Sequence, residues 1–534
     1  MSRPWHRDPR HIPVERRRSM FPGILRQSAT SYGGKIAATF EGQSLTYKQL
    51  YERSCRLANG LLSLGLRKGD KVATLEDNHL DGLVEICALA LAGLVRCPMS
   101  AQNSADVHAY TMNLVGAKAL IVQQKYHQAA SEMSHAVETL QHVIVHGGAG
   151  SGMRTYEELL EFPADAPDIP VGLEDDHIIR FSAGTTGRPK GILHTVRAWR
   201  DMGAEMRLIM PGLDTDDVYL CAGPMGHAAG LLVWPLIAGG ARQVIMPAFD
   251  PGHFLALTES ESCTFTVLVP TMIQMIARHP DSQRRDLSSL RAVFYGAAPI
   301  TERTLQEAQA VWGYIMYQIY GQSESMPITV LQPRHHILEG SDKERRLLRS
   351  AGRPTPNSVV KIIDDNGEEA PPGALGEVCA LSPGNMTELW GDPDGTAERI
   401  TPDGYVRTRD VGYLDADGFL FLADRKEDMI ISGGYNIWPA EIENALSAHP
   451  DVMEAAVLGV PDDKWGEAVA AVVVLRDGQH IEADELIDWC RKLVGSIKKP
   501  KRIEFSAEPL PKNPVGKLVR RTIRDSYWPE EGPR

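Results

Sequence analysis

A glycine- and hydroxyl-rich stretch at residues 181–191 carries the residue types that bind phosphate groups. Ser182, Thr185 and Thr186 place three hydroxyls close together, and Lys190 adds a cation. Hydroxyls, free backbone N–H groups and a lysine on a flexible turn suit a polyphosphate. The glycines, which permit backbone angles that a Cβ atom forbids, are Gly184, Gly187 and Gly191.

This stretch differs from the Walker phosphate loop, in which Lys and then Ser or Thr directly follow the second glycine. Arg188 and Pro189 intervene here, and Gly191 follows the lysine. Glycine-rich matches are common by chance, so a surface turn without a ligand remains an alternative. By itself the stretch favours phosphate binding without deciding the question.

The size and charge of the chain narrow the classes of function. A chain of 534 residues corresponds to three or four domains or subdomains at about 150 residues each. Hydrophobic content of 43% and charged content of 23% are typical of globular proteins with sizeable cores. The net charge of −13 argues against general nucleic-acid binding and against a polybasic membrane anchor. An anionic ligand would therefore need a locally positive site.

The cysteine pattern indicates a reducing compartment. Seven cysteines lie far apart without a CxxC pair, which predicts reduced thiols and a cytoplasmic location. Residues 1–20 are rich in Arg and His but lack the apolar core of a secretory signal. The longest apolar stretch, residues 86–95, is too short to span a bilayer, so we expect no transmembrane segment.

Alternating strand and helix patterns predict an α/β fold with a parallel sheet. Residues 37–45 are typical of a hairpin, and Thr46 is a candidate N-cap for a helix through Leu64. Helices are also predicted over residues 80–92 and 199–210. Strands are predicted at residues 71–75, 95–98, 119–122, 142–145, 177–182, 217–222, 243–246, 265–269, 292–295 and 315–319.

Several polar or glycine-rich segments follow directly after these predicted strands. Residues 223–230, 296–299 and 320–324 each begin where a strand ends. Ligands of open parallel sheets gather at the carboxyl ends of the strands. These segments are therefore expected near the stretch at residues 181–191.

The amino-acid composition of the sequence changes after about residue 350. Proline and glycine rise, and residues 359–363 and 376–380 predict a β-rich subdomain at about 350–424. We expect a large N-terminal domain over residues 1–424, a hinge at 425–428 and a small α+β domain at 429–534.

Five further motifs follow the opening stretch in order. They are PMGHAAG at 224–230, YGQSE at 320–324, YLDADG at 413–418, GGYNIWPAEIE at 433–443 and PKNPVGK at 511–517. Each motif is weak alone, but their order and distances together resemble the adenylate-forming superfamily over about residues 20–525. That superfamily includes acyl-CoA synthetases, nonribosomal adenylation domains and firefly luciferase.

The resemblance implies a two-step reaction with ATP, Mg²⁺ and CoA. A carboxylate attacks the α-phosphate of ATP, giving an acyl-adenylate and pyrophosphate, and a thiol then displaces AMP. Carboxylate and triphosphate repel each other, so cations must hold both of them in line.

The same resemblance implies roles for individual residues at an ATP site. Glu324 matches the Mg²⁺ ligand, Tyr320 and Ala298 pack on adenine, and Asp410 and Arg425 contact the ribose. The alternatives are a solvated glutamate, ordinary core packing and surface ion pairs. The implied ATP/AMP-binding residues are Ser182, Ala183, Gly184, Thr185, Thr186, Gly187, Lys190, Gly296, Ala297, Ala298, Gln318, Tyr320, Gly321, Gln322, Ser323, Asp410, Arg425 and Lys517.

Lys517 matches the lysine that bridges the substrate carboxylate and the α-phosphate, whereas Lys190 is assigned to the departing pyrophosphate. Glu427 occupies the position of the family's hinge, which is more often Asp or Lys. Ser323 replaces a threonine. Arg409 replaces the glycine that precedes Asp410, and its side chain is expected to point towards solvent rather than hold nucleotide.

The resemblance also locates an acyl pocket and a CoA site. His227 is implied as a catalytic or gating residue, with a packed histidine as the alternative. Gly433 and Gly434 match the glycine pair beside the pantetheine tunnel, with a tight turn as the alternative. The basic run over residues 491–502 could attract CoA phosphates or simply be solvated. The implied pocket residues are His227, Gly296, Ala297 and Met326.

Small apolar residues in the pocket motifs favour a hydrophobic aryl, alicyclic or medium-chain acid. Residues 227–234 contain no acidic side chain to meet an α-amine. We therefore expect an AMP-forming acyl-CoA ligase. A stand-alone enzyme that loads a carrier protein and a luciferase-like oxidoreductase remain alternatives, and a homodimer remains open.

Overall fold

The computed structural model describes residues 20–148, 153–183, 188–425, 428–432, 435–462, 465–512 and 518–525. The structural statements below concern this part of the chain.

The first sixteen strands all belong to two large sheets. They are β1 (Ile36–Phe40), β2 (Gln43–Thr46), β3 (Lys71–Leu75), β4 (Val95–Met99), β5 (Ala119–Val122), β6 (His142–Val145), β7 (Arg154–Thr155), β8 (Asp176–Ala183), β9 (Pro189–Thr195), β10 (Val218–Cys221), β11 (Arg242–Ile245), β12 (Phe265–Leu268), β13 (Ala292–Gly296), β14 (Met316–Gln322), β15 (Ser325–Leu331) and β16 (Arg353–Pro354). The later strands are β17 (Val359–Ile363), β18 (Gly376–Leu381), β19 (Glu388–Leu389), β20 (Val406–Leu414), β21 (Leu420–Arg425), β22 (Ile430–Ser432), β23 (Tyr435–Ile437), β24 (Val452–Asp462), β25 (Gly466–Leu475) and β26 (Arg502–Phe505).

The helices alternate with these strands along most of the chain. They are α1 (Phe21–Ser31), α2 (Tyr47–Ser63), α3 (Leu80–Ala92), α4 (Ala105–Val115), α5 (His127–Ser134), α6 (Tyr156–Leu159), α7 (Val196–Ile209), α8 (Val233–Gly239), α9 (Pro251–Ser260), α10 (Pro270–Ala277), α11 (Glu302–Trp312), α12 (Asp342–Leu347), α13 (Pro393–Arg399), α14 (Pro439–Ser447), α15 (Ala483–Lys498) and α16 (Arg520–Asp525).

Two large sheets are formed by strands between residues 36 and 389 of the described chain. One has nine strands in the order β16-β15-β14-β13-β12-β10-β11-β1-β2, and the other has eight in the order β19-β9-β8-β4-β3-β5-β6-β7. Strands β10 to β14 of the first sheet pair in parallel, as do β3 to β8 of the second sheet. Antiparallel strands lie at the edges of both sheets. The predicted α/β class is therefore confirmed.

Two smaller sheets follow. Strands β17, β18, β20 and β21 form a four-stranded antiparallel sheet, and residues 430–505 contribute a mixed sheet built around β25. The first lies within the predicted β-rich subdomain and the second within the predicted C-terminal domain. The exact domain and hinge bounds stay predictions.

Local sequence signals explain how the elements begin. The Thr46 side chain accepts from the Gln49 backbone N–H and the Gln49 side chain accepts from the Thr46 N–H, which completes the predicted capping of α2. Glu41 and Gly42 both have positive φ values, 45° and 79°, so the predicted hairpin turns over two residues. Helix α7 begins at Val196, earlier than predicted, because Thr195 caps it.

The predicted cysteine chemistry agrees with the structure: all seven thiols are free and buried. Within the described residues, no helix is long and apolar enough to cross a membrane.

Candidate active site

The hairpin formed by β14 and β15 presents the YGQSE motif at its tip. Gln322 lies opposite Ser325, so Ser323 and Glu324 form a two-residue turn. The Glu324 backbone oxygen accepts a hydrogen bond from the Met386 N–H at 2.7 Å. The turn is thereby tied to the segment that leads into β19.

Tyr320 and Asp410 meet although they lie 90 residues apart. The Tyr320 hydroxyl donates to Asp410 Oδ2 at 2.6 Å, and Gln322 Nε2 donates to the same oxygen at 3.3 Å. Gln322 also donates to the Thr408 backbone oxygen at 3.0 Å. The residues implied for the adenine and the ribose therefore form one cluster.

Arg399, which the sequence analysis did not identify, joins Glu324 to this cluster. Its guanidinium donates to Glu324 Oε1 at 3.3 Å and to Gln322 Oε1 at 2.8 Å. A third hydrogen bond to the Arg407 backbone oxygen, at 2.8 Å, fixes the side chain. Arg399 ends a short helix whose sequence gives no functional signal, because its partners are remote in the chain.

The Glu324 carboxylate fits a Mg²⁺ ligand. Its side chain is 12% exposed, and Arg399 engages only one of its two oxygens. Mg²⁺ prefers oxygen ligands and is commonly held by one or two carboxylates together with substrate phosphates. Glu324 could therefore supply one oxygen, while Arg399 orients the carboxylate.

Asp410 and Arg425 are also neighbours in the sheet. They are directly opposite each other in the antiparallel pair of β20 and β21. Arg409 has φ = 62°, a left-handed conformation that favours glycine. Its side chain pairs with Glu398, whose side chain is 70% exposed, at 3.5 Å. The Arg409 side chain itself is 34% exposed, so it is only partly directed towards solvent.

The strands β13 and β14 approach closely beside this cluster. A Cβ atom at Gly296 would lie 2.2 Å from the Ile319 backbone oxygen, so only glycine fits there. Ala297 follows with φ = 67° and is exposed, and Ala298 is half-buried. Gln318 accepts a hydrogen bond from the Tyr295 hydroxyl at 3.2 Å. Gly296 thus has a packing role besides the role implied for it.

Lys190 lies at the start of β9 and is bound to Asp392. The distance from Lys190 Nζ to Asp392 Oδ2 is 3.2 Å. Asp392 also caps α13 by accepting from the Gly395 N–H, and this bond, followed by Lys190, lowers the pKa of its carboxyl. A phosphate group would have to compete with Asp392 for this lysine.

His227 precedes the short 3₁₀ helix Ala228–Leu232. Burial, followed by the charges of Arg180 and Arg96, lowers the pKa of His227 to about 4. The imidazole is therefore neutral at pH 7. Met326 and Ala228, the residue after His227, are partly buried against the same apolar cluster.

The structure describes some of the remaining implied residues but not others. Lys498 in the basic run is paired with Glu441 at 2.7 Å. Ser182, Gly321 and Ser323 are half-buried. The following lie outside the described residues: Gly184, Thr185, Thr186, Gly187, Glu427, Gly433, Gly434 and Lys517.

The family models match most of the chain. The model of the AMP-binding enzyme matches residues 25–390, and that of the AMP-binding enzyme C-terminal domain matches residues 441–517. The chain therefore belongs to the AMP-binding enzyme family, and its adenylate-forming fold is confirmed.

Individual relatives refine this assignment. The chain is 36% identical over 491 residues to a feruloyl-CoA synthase of Amycolatopsis sp, covering 91% of this chain and 94% of that protein. It is also 36% identical over 502 residues to the fatty acid–[acyl-carrier-protein] ligase ScoC of Streptomyces coeruleorubidus, covering 92% and 93%. Among solved structures, the amide bond synthetase McbA from Marinactinospora thermotolerans matches with a TM-score of 0.86 and 31% identity, covering 95% and 99%.

Together these matches define an AMP-forming acid–thiol ligase. Such enzymes use ATP, Mg²⁺ and CoA as a cosubstrate, as expected from the sequence. The names of these relatives differ in the acid that is activated and in the group that accepts it.

Proposed function

We propose that this chain is a cytoplasmic carboxylate–CoA ligase that activates a hydrophobic aryl, alicyclic or medium-chain acid. The observation that carries the proposal is the cluster of Tyr320, Asp410, Gln322, Arg399 and Glu324. Its hydrogen bonds unite three separate chain segments at one site. Nucleotide and carboxylate can then be held in line for reaction.

The proposed roles follow the chemistry of each group. Tyr320 packs against adenine, Asp410 accepts from the ribose hydroxyls and Glu324 supplies an oxygen to Mg²⁺. Lys517 is assigned to the contact between carboxylate and α-phosphate, and Lys190 to the leaving pyrophosphate. For Lys190 this assignment requires release from Asp392, an exposed ion pair of a kind that is worth little energy.

The acid's oxygen forms a bond to the α-phosphorus as the bond to pyrophosphate breaks. The CoA thiolate then attacks the acyl carbon, and AMP leaves. A neutral His227 can pack against the acyl group without adding a charge. Ala228 and Ala229 are small, which supports a roomy apolar pocket.

The test is a panel of carboxylic acids incubated with the protein, ATP and Mg²⁺, with and without CoA. We expect AMP release that requires CoA and a hydrophobic acid. Binding of ATP without AMP release from any acid, in the presence of any acceptor, would contradict the proposal.

Loading of a carrier protein is the second candidate, because ScoC is as similar in sequence as the feruloyl-CoA synthase. It predicts AMP release with a phosphopantetheinylated carrier and none with free CoA. Adding an amine in place of the thiol tests whether the acyl-adenylate forms an amide, the activity named for McbA.

A further inference from the structure

Arg180 is a buried cation without a bonded partner. It lies in β8, just before the glycine-rich stretch, and is 8% exposed. Its Nη1 atom is fully buried without a hydrogen-bond partner, and the guanidinium makes no ion pair within the described chain. Arg399 is equally buried but has three hydrogen-bonded acceptors. Arg180 therefore has at least one donor, Nη1, that the described part of the chain leaves unused.

The strand register shows which way Arg180 points. Arg96 in β4 is directly opposite Ile178 in β8, and Arg180 lies two residues further along the same strand. Alternate residues of a strand share a face, so Arg96, Ile178 and Arg180 point to one side. Ile179 packs on the other side with the core of β4. Ala229, close to His227 in the chain, belongs to the same buried cluster as Ile178, and Ala228 and Met326 pack against that cluster, so implied pocket residues lie on the side of the sheet that Ile178 and Arg180 face.

Apolar and aromatic groups surround this position. The Arg180 guanidinium lies 5.8 Å from the centroid of the Trp199 ring. Trp199, Met202 and Trp234 belong to the same buried apolar cluster as Ile178. The Nη1 donor of Arg180, which is shielded from water, thus lies beside an apolar cluster.

Nearby carboxylates do not neutralise Arg180. Glu76 and Glu85 raise the pKa of Arg96, which burial lowers, whereas Glu324 is the favourable charge that acts on Arg180 among the described residues. Glu324 is already paired with Arg399 at 3.3 Å. Burial lowers the pKa of Arg180 to about 10, so the side chain remains charged at neutral pH. An unpaired buried charge is costly, and an acceptor that enters the pocket would relieve that cost.

We propose that Arg180 binds a second oxygen acceptor on the acid substrate, a carboxylate or ketone oxygen remote from the carboxylate that reacts. Arg180 is then a specificity-determining residue inside an otherwise apolar pocket. The inference rests on the proposed ligase function and narrows its substrate class to hydrophobic acids with a second oxygen group. Guanidinium groups form strong, directional hydrogen bonds to carboxylates and carbonyls.

Matched acids test this proposal directly. Octanoic acid, octanedioic acid and 7-oxooctanoic acid share a chain length and differ in the second oxygen group. Their homologues of six to ten carbons vary the distance between that group and the reacting carboxylate. We expect at least one acid with the second oxygen to exceed its simple counterpart by about 100-fold in kcat/KM, because a buried polar group strongly rejects a ligand that cannot bond to it. Preference for the dicarboxylic or the oxo acid would identify the acceptor, and either supports the proposal.

Variants locate the effect. In Arg180→Met, whose side chain has a similar length, kcat/KM for the paired acids should differ by only a few-fold. Arg180→Lys should retain part of the preference for the acid with the second oxygen. Arg207→Met removes an exposed arginine on α7 and should keep the wild-type preference. A wild-type enzyme that prefers simple acids, or an equal loss of kcat/KM for every acid in Arg180→Met, would overturn the proposal. Equal loss would indicate a role at the reacting carboxylate or the nucleotide.

A thermal-shift measurement on the wild-type protein keeps the test independent of turnover and of variant folding. In the presence of AMP, the favoured paired acid should raise the melting temperature more than its simple counterpart. The same shift with both acids would count against Arg180 as the binding group. Absence of AMP release with every acid and acceptor defeats the ligase proposal, whereas the thermal-shift preference still tests Arg180.

Discussion

The Glu324 carboxylate is oriented through one of its two oxygens. Arg399 bonds to Oε1 and simultaneously to Gln322, so the carboxylate orientation is linked to the Asp410 cluster. Groups that orient a metal ligand often matter almost as much as the ligand itself.

We predict that Glu324→Gln lowers kcat/KM at least about 100-fold, because the amide removes the charge that attracts Mg²⁺. Arg399→Met should cost about 10- to 100-fold by releasing the carboxylate. AMP formation across a Mg²⁺ titration measures both effects. Glu398→Gln, at the exposed partner of Arg409, is the control and should stay within about twofold of wild type. A Glu324→Gln enzyme with the same Mg²⁺ dependence as wild type would contradict the assignment.

The sequence predicted roles for Tyr320 and Glu324 from a motif typical of the family and for Asp410 from its matching position, and the structure places Tyr320 and Asp410 in contact. The sequence could not identify Arg399 or Asp392, whose partners are 75 and 202 residues away. Pairings at such separations depend on how sheets and helices pack, and no local pattern encodes them. Arg180 did leave a signal, a charged residue inside the apolar run at 178–181, but its unpaired state needed the structure.

At the level of elements, β13 and β14 approach each other closely beside the cluster of Tyr320 and Asp410. Both strands were predicted within a few residues of their observed bounds, because apolar runs bounded by glycine and polar residues are reliable strand signals. The spacing between them, which requires Gly296, follows from the pairing of Gly296 with Ile319.

We predict that Gly296→Ala destabilises the protein by about 1–3 kcal/mol, since its Cβ atom would lie 2.2 Å from the Ile319 oxygen and push β13 from β14. Denaturant unfolding measures the loss. Gly34→Ala is the matched control: nothing lies within 4 Å of its Cβ position, so stability should change by less than about 0.5 kcal/mol. Equal stability of the two variants would show that the strands can separate freely.

At the scale of the whole molecule, buried neutral histidines link stability to pH. His336 is fully buried, and its ring bonds to the Tyr295 hydroxyl at 2.9 Å and the Gln332 oxygen at 3.0 Å. Burial lowers its pKa from 6.5 to about 4. Between these pH values the unfolded chain binds a proton that the folded chain does not, so the free energy of unfolding falls as pH falls.

His336→Gln should therefore show a shallower loss of stability between pH 6.5 and 4 than wild type, by up to about 1.4 kcal/mol per pH unit. Urea unfolding at several pH values checks the slope. His253→Gln, at an exposed histidine, should run parallel to wild type. Parallel curves for His336→Gln would mean that His336 gains its proton equally in both states.

The residues proposed for the first half-reaction lie in both segments matched by the family models. The cluster around Tyr320 and Asp410 lies within residues 320–410, whereas Lys517 ends the segment matched by the C-terminal family model. If Lys517 bridges the carboxylate and the α-phosphate, its cation is needed only while those two anions approach each other.

Lys517→Ala should then lose adenylation by about 100-fold or more, yet convert a supplied acyl-adenylate to the thioester at nearly the wild-type rate. Lys512→Ala, at a lysine paired with Glu454, is the control and should preserve both steps. Single-turnover assays of each step decide the matter, and an equal loss in both would assign Lys517 to folding or domain packing instead of the first half-reaction.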